Sequence, residues 1–390
     1  MSVPLAGVAD RIIARLAAAT GANSIATLDG ATLLCERAML GGMRIPGRTS
    51  AGGGCRLFDA VDDTIAINLA RAADRELLPA LFETETLDPN DQQAIAAHIA
   101  RSEAAALVVR GRTMGLAIAS EREALPYVKP CTLLTAGCPA RANRGELPRI
   151  LDLSSLWAGP LASHLLGLAG AEVIKVESRE RPDAMRGRDD IFYGLLNQGK
   201  ASVVLRFSDE AERQVLLSLI GTADIVIESA RPRALAQLGI DAAQIVRDTP
   251  GLVWVSITGH GTVGEAGGWV GFGDDCGVAG GLSAALRRAS GAVGFVGDAI
   301  ADPLTGMEAA LLAWEAWSSR RGGHFALAMS HIVAHALGTA RAADPAELES
   351  SLRAWSAAVG KPFPPVKRRP IGTLAAFGEH THHYQERLSA

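Results

Sequence analysis

From residue 149 onward, short apolar runs alternate with amphipathic stretches. "RILDLS", "AEVIKVE", "ASVVLRF", "ADIVIES" and "GLVWVSIT" are brief, rich in Val and Ile, and apolar at consecutive positions. That is the pattern of strands buried on both faces. "GPLASHLLGLAG", "SDEAERQVLLSLIG" and "RALAQLG" fall between them with apolar residues at helical spacing. Strands alternating with helices predict an α/β fold built on a doubly wound, Rossmann-like parallel sheet. Such sheets bind ligands in the crevice at the carboxyl ends of their strands. Here those ends carry "SSLWAGP", "ESRERP", "ESARPR" and "TGHGTVG", and a site is expected among these loops.

Before residue 140 the pattern is mixed. "CRLFDAVDDTIAINLA" alternates like a hairpin turning at Asp62 and Asp63, while "DRELLPALFE" and "DQQAIAAHIARSEAAALVVRG" have helical periodicity. The opening "MSVPLAGVADRIIARLAAAT" reads as an amphipathic helix, and "TSAGGGC" sets Gly52, Gly53 and Gly54 in a loop. "KPCTLLTAGCPARANRGELPR" has the Pro, Gly and polar content of a linker. The chain is therefore expected to divide into a small α+β domain over residues 1–140 and a large domain over 141–390.

Composition narrows the function classes. Across 390 residues the net charge is -4, which gives no reason to expect nucleic acid or an anionic membrane. Charged residues interrupt every apolar run before it reaches membrane-spanning length, and no signal-peptide pattern opens the chain. The five cysteines are dispersed, odd in number and without a CxxC pair. A disulfide framework or a metal site is therefore not expected, and a reducing cytoplasm is.

Few local motifs carry chemistry on their own. "GHGTVG" has the glycine spacing of a dinucleotide loop, but it sits late in the sheet and does not open a helix. No G-x-S-x-G elbow is present. The histidines of "GEHTHHY" have no acidic or thiol partners at metal-ligand spacing. Arg179, Arg181, Arg186, Arg188, Arg231 and Arg233 form either a solvated basic face or a rim for a phosphorylated ligand. In "IADPLTGMEAALLAW", Asp302 and Pro303 suit the cap and first position of a helix. Whether Asp302 also does chemistry, the residues alone leave open.

Seven stretches in order resemble the family III CoA-transferases, the CaiB/BaiF family that includes formyl-CoA and carnitine CoA-transferases and α-methylacyl-CoA racemase. They are "ILDLSSLWAGPLASHLLGLAGAEVIKVE" (150–177), "LLNQGKASVVL" (195–205), "ADIVIESARPRALAQLGI" (223–240), "LVWVSITGHGTVG" (252–264), "GFGDDCGVAGGLSA" (271–284), "DPLTGMEAALLAWEAW" (302–317) and "FGEHT" (377–381). The family's catalytic aspartate begins a D-x-x-x-G stretch at the head of a helix, which Asp302 to Gly306 matches. Asp298, four residues earlier, is out of register. The resemblance implies that Asp302 attacks an acyl-CoA thioester, giving a mixed anhydride and CoA thiolate. Thiolate then returns to form an enzyme–CoA thioester, from which an acceptor acid takes the CoA. A helix N-terminus is expected to favour the ionised form of the attacking carboxylate.

By the same resemblance Trp157 and Ala158 line the CoA site, and Asn197 and Lys200 lie near its adenosine end. "SARPRALAQL" matches the family's N-F-R-P-G-x-L-x-R-L, so Ser229 and Arg231 are expected to hold CoA, with Ser229-Ala230 replacing Asn-Phe. "VGFGDD" lacks the histidine that the family's racemase carries there, which disfavours a racemase. The region resembling the family's small domain lies at residues 51–82, as if moved to the N-terminus. Gly52 to Gly54 then correspond to a loop that covers the active site. The resemblance implies a homodimer, interlocked in other members, and no cofactor beyond the CoA thioester that is the substrate. The expected activity is CoA transfer from an acyl-CoA to a carboxylic acid. An acyl-CoA racemase or isomerase, a non-catalytic CoA-binding subunit and a nucleotide-dependent oxidoreductase are the alternatives. The acyl group is not specified.

Overall fold

The computed structural model describes residues 2–389 except 124, 126–128, 141–144 and 231. Three strands form a small antiparallel sheet: β1 (Cys55–Asp59), β2 (Thr64–Asn68) and β3 (Ala117–Ser120), in the order β1-β2-β3. The hairpin turns at Asp62 and Asp63 as expected, with Asp59 opposite Thr64. Seven strands form the large sheet: β4 (Cys131–Pro139), β5 (Arg149–Leu153), β6 (Glu172–Ser178), β7 (Ala201–Leu205), β8 (Ile225–Glu228), β9 (Val253–Thr258) and β10 (Arg321–Ala328). Their order is β4-β10-β9-β8-β5-β6-β7, parallel except for β4 on β10. The α/β class and the doubly wound sheet expected from the alternating pattern are therefore present.

The connection order reverses beside β5. From β5 the chain builds outward to β6 and β7, then returns to place β8, β9 and β10 on the other side. The carboxyl ends of β5 and β8 thus flank a topological switch point, where an open α/β sheet leaves a crevice.

Two expectations change. Residues 131–139, read as linker, form β4 and cover the outer edge of β10. "CTLLTA" has the apolar and β-branched residues of a strand, and the Gly and Pro content of the longer segment masked it. The first forty residues, expected in the small domain, pack into the large one. Ile12, Ile13 and Leu16 of the helix Ala6–Thr20 and Leu33 and Leu34 of the helix Gly30–Leu40 share a buried cluster with Leu304, Met307 and Leu311. Trp314 Nε1 donates to the Ala19 carbonyl at 2.9 Å, joining the same surfaces. The small sheet turns one face to its own helices and the other, through Cys55, Leu57, Ala66 and Ala119, to Val278, Ala279 and Phe295. Among the described residues no helix is long and apolar enough to cross a membrane.

Candidate active site

The long helix Ala301–Ser318 begins two residues earlier than the Asp-Pro pair suggests. Gly297 (φ 78°) and Ala299 (φ 43°) turn the chain in the left-handed region, and Ile300 precedes the first helical residue. Asp302 therefore lies in the first turn, its N–H bonded to the Ala299 carbonyl at 2.9 Å, and does not cap the helix. One turn on, Gly306 faces the start of the helix Ala158–Leu168. A Cβ at Gly306 would stand 2.7 Å from the Ala158 carbonyl oxygen and 3.0 Å from Leu161 Cβ. The bare backbone at Gly306 lets the two helices meet, and the Ala158 N–H donates to the Asp302 carboxylate.

Asp302 sits in a charged cluster. Burial pushes its carboxyl up to about 7; Arg37 and the Ala158 N–H pull it down, while Asp274 and Asp298 push it further up. The helix start was expected to favour the ionised form, but desolvation outweighs a half-charge at a helix end. Asp298, the out-of-register carboxylate, is fully buried and takes the guanidinium fork of Arg37, with Nε to Oδ2 at 2.7 Å. The Arg37 guanidinium also lies 4.8 Å from the centroid of the Trp157 ring. Asp274 accepts from the Ala299 N–H at 3.1 Å and from Ser50, and burial together with Asp298 pushes it up to about 7. A Cβ at Gly273 would lie 2.2 Å from Asp302 Oδ2, so this carboxylate position requires glycine there.

A cavity of about 200 Å³ opens beside Asp302 at the switch point. Ser155, Ala158 and Gly159 after β5 and Ser229 and Ala230 after β8 form one side. Trp269, Phe272 and Arg71 form the other, and the Arg71 guanidinium lies 5.4 Å from the Phe272 ring centroid. A second cavity of about 550 Å³, lined by Glu228, Ser256 and His324, meets the first at Ala230 and Thr258. The first volume lies below the roughly 300–1,000 Å³ of sites that enclose a drug-sized ligand.

The other expected residues are placed unevenly. Ala158 and Ser229 line the cavity with Asp302, and the Ser229 hydroxyl accepts from the Ser155 N–H at 3.3 Å. Trp157 is buried behind the wall, edge-on to Phe192 at 4.9 Å. Asn197 and Lys200 are not brought to Asp302. Lys200 Nζ donates to Asp152 (2.9 Å), the Pro160 carbonyl (2.9 Å), Ser163 (2.8 Å) and Asn197 (3.0 Å), deep under the Ala158–Leu168 helix. Arg231 lies outside the described residues. Of Gly52 to Gly54, Gly52 reaches the cluster, a Cβ there standing 3.3 Å from Arg37 Nη2, while Gly54 faces Ala70. Arg186 binds Glu177 at 2.8 Å, so this half-buried member of the basic group is already paired. His380 Nδ1 accepts from the Ser202 N–H at 3.2 Å and pins the terminal segment to β7. Arg37 and Arg71 were not found from sequence, since neither stands in a motif. Gly273 and Asp274 stand within "GFGDD", whose resemblance was the available signal.

Residues 148–341 match the sequence model of CoA-transferase family III. The acetyl-CoA:oxalate CoA-transferase of Acetobacter aceti is 30% identical over 121 residues, 30% of this chain and 31% of that protein. A probable fatty acyl-CoA transferase of Mycobacterium tuberculosis is 35% identical over 127 residues, 30% of this chain and 32% of that protein. A crystal structure of Rv3272 from M. tuberculosis is 29% identical, covering 53% of this chain and 57% of that chain, with a TM-score of 0.45. The matched segments span about a third of these two curated relatives.

Proposed function

Given that residues 148–341 belong to CoA-transferase family III, we propose that the chain transfers CoA from an acyl-CoA to a carboxylic acid, with Asp302 as nucleophile. One observation carries this reading: the Asp302 carboxylate, bonded by the Ala158 N–H, stands in the wall of the cavity at the β5/β8 switch point. The carboxylate oxygen forms a bond to the thioester carbonyl carbon, and the C–S bond breaks to release CoA thiolate. Thiolate then attacks the aspartyl carbonyl of the anhydride and frees the acyl group as its acid. The acceptor carboxylate attacks the resulting enzyme thioester, again releasing thiolate and leaving an anhydride. Thiolate finally attacks the acyl carbonyl of that anhydride, giving the new acyl-CoA and free Asp302. Backbone N–H groups at the start of the Ala158–Leu168 helix favour each anion formed beside them.

The acyl group fills the cavity beside Asp302, and CoA runs out past Ser229 and Ala230 toward the second cavity. The loop Gly52 to Gly54, whose Gly52 approaches Arg37, limits access of water to the anhydride. The protein works in the cytoplasm as a homodimer, and the transfer chemistry uses no cofactor besides the CoA substrate.

Incubation with a panel of acyl-CoAs and hydroxylamine, followed by peptide mass mapping, tests the nucleophile. A hydroxamate on the "DPLTGM" peptide, dependent on one acyl-CoA, is the expected result. CoA binding without modification by any donor removes the transferase reading in favour of a binding subunit or a proton-exchange enzyme.

A further inference from the structure

Beside the Asp302 cavity lie three buried side chains that CoA transfer does not use: His260, Asp275 and Cys276. Asp275 Oδ2 is 3.7 Å from His260 Nε2, Cys276 Sγ is 3.9 Å from the same nitrogen, and Sγ is 3.9 Å from Asp275 Oδ2. The three atoms form a nearly equilateral triangle. A thiol–imidazole–carboxylate relay needs its two partners on opposite ring nitrogens. Here both face Nε2, so the arrangement is not a relay. The nitrogen–oxygen separation also exceeds the roughly 2.7–3.2 Å of a hydrogen bond. Around a zinc ion with bonds of about 2.0–2.3 Å, neighbouring ligand atoms stand about 3.3–3.8 Å apart. The observed spacings close to that range with shifts of a few tenths of an ångström.

The surroundings support ligation. Asp275 Oδ1 accepts from the Phe272 N–H at 3.0 Å, which fixes the carboxylate with Oδ2 toward the other two atoms. Gly271 makes the space: a Cβ there would lie 2.6 Å from Cys276 Sγ and 3.0 Å from His260 Nε2. The Trp269 ring packs edge-on to the imidazole at 6.0 Å. Cys276 Sγ lies 3.3 Å from the Gly259 carbonyl, the hydrogen bond that ligation replaces. Imidazole, carboxylate and thiolate together are a donor set for zinc.

We propose that His260, Asp275 and Cys276 bind a divalent transition ion, zinc above all, which ties the segment carrying His260 to the helix Gly273–Ala279. The thiol proton leaves to solvent as the zinc–sulfur bond forms, and the imidazole binds in its neutral form. Gly259 and Trp269 on one segment and Phe272 and Gly273 on the other border the cavity or Asp302 itself. An ion joining them holds the cavity wall against the nucleophile. The dispersed cysteines hid this site, because its ligands come from position 260 and from 275–276 and meet only in the fold.

Full-length protein stripped with a chelator and dialysed against Zn²⁺ or Co²⁺ alone provides the test. About one zinc per chain is expected to survive desalting, with a single sulfur neighbour at about 2.3 Å in X-ray absorption of the wild type. The cobalt form is expected to show the visible bands of a tetrahedral site and a near-ultraviolet thiolate-to-metal band. Cys276→Ser should abolish that band without changing the circular dichroism; if the variant does not fold, the wild-type absorption data decide. Retention below about a tenth of an ion per chain, a zinc shell without sulfur, or a thiolate band that persists in folded C276S overturns the proposal. No acyl-CoA enters these measurements, so their failure leaves the transferase reading standing.

Discussion

At the scale of single residues, Asp302 meets two opposed demands. Attack on a thioester needs the carboxylate, while burial favours the acid and pushes the group up to about 7. Arg37 and the Ala158 N–H favour the anion; Asp274 and Asp298 oppose it. The logarithm of kcat/KM is therefore expected to rise with unit slope to about pH 7 and flatten above it. A profile flat across that range would exclude Asp302 as the attacking group. Stability carries the opposite sign. In the unfolded chain the group titrates near 3.8, so the folded state binds the extra proton between there and about 7. The resulting penalty is absent below pH 3.8, grows as pH rises, and is complete above about pH 7. A shift of this size corresponds to roughly 4 kcal/mol. Asp302→Asn is accordingly expected to abolish transfer yet melt higher than wild type at pH 8, the gap in calorimetric Tm closing toward pH 4. A lower Tm for the variant at pH 8 would show that the carboxylate's contacts, not its burial, dominate.

At the scale of elements, the D-x-x-x-G spacing acquires a physical meaning. Asp302 and Gly306 are one turn apart on one face of the long helix, so the glycine sets how closely the carboxylate approaches the Ala158 N–H. Gly306→Ala places a methyl 2.7 Å from the Ala158 carbonyl and must part the helices. The expected cost is about 1–3 kcal/mol in denaturant unfolding and about 100-fold in kcat, with acyl-CoA binding retained. Gly338→Ala, with nothing within 4 Å of its Cβ, serves as the helical control and should leave kcat unchanged. Equal losses in both variants would mean that Gly306 has no special place. The strands β5 to β9 were legible because each is buried on both faces and reads as a short run rich in Val, Ile and Leu, broken only by single buried polar residues such as Asp152 and Lys175. β4 was not, because an edge strand lies half in solvent and Leu133 and Leu134 remain partly exposed. Its pairing with β10 is a property of the sheet, not of its own pattern.

At the scale of the whole molecule, the site draws on the full length of the chain. Asp302 was legible through a motif and a helix start, and the crevice through the alternating strands. Arg37 was not, because it stands 261 positions from the aspartate that takes its fork, and nothing local distinguishes it from other helical arginines. Arg71 likewise reaches the cavity only because the small sheet docks on Val278 and Ala279 of the Gly273–Ala279 helix. Both guanidiniums approach the Asp302 of their own chain, so one chain supplies every described wall of this cavity. In a dimer that exchanged its N-terminal units, the arginine and the aspartate of a site would come from different protomers. Mixing Asp302→Asn protein with Arg71→Ala protein separates the two arrangements. Exchange would rebuild one intact site in each mixed dimer, about a quarter of all sites in an equal mixture. Here the mixture, refolded together to allow subunit exchange, is expected to show only the average of its two components. Activity clearly above that average would place Arg71 over the partner's Asp302 and make dimerisation a condition of catalysis.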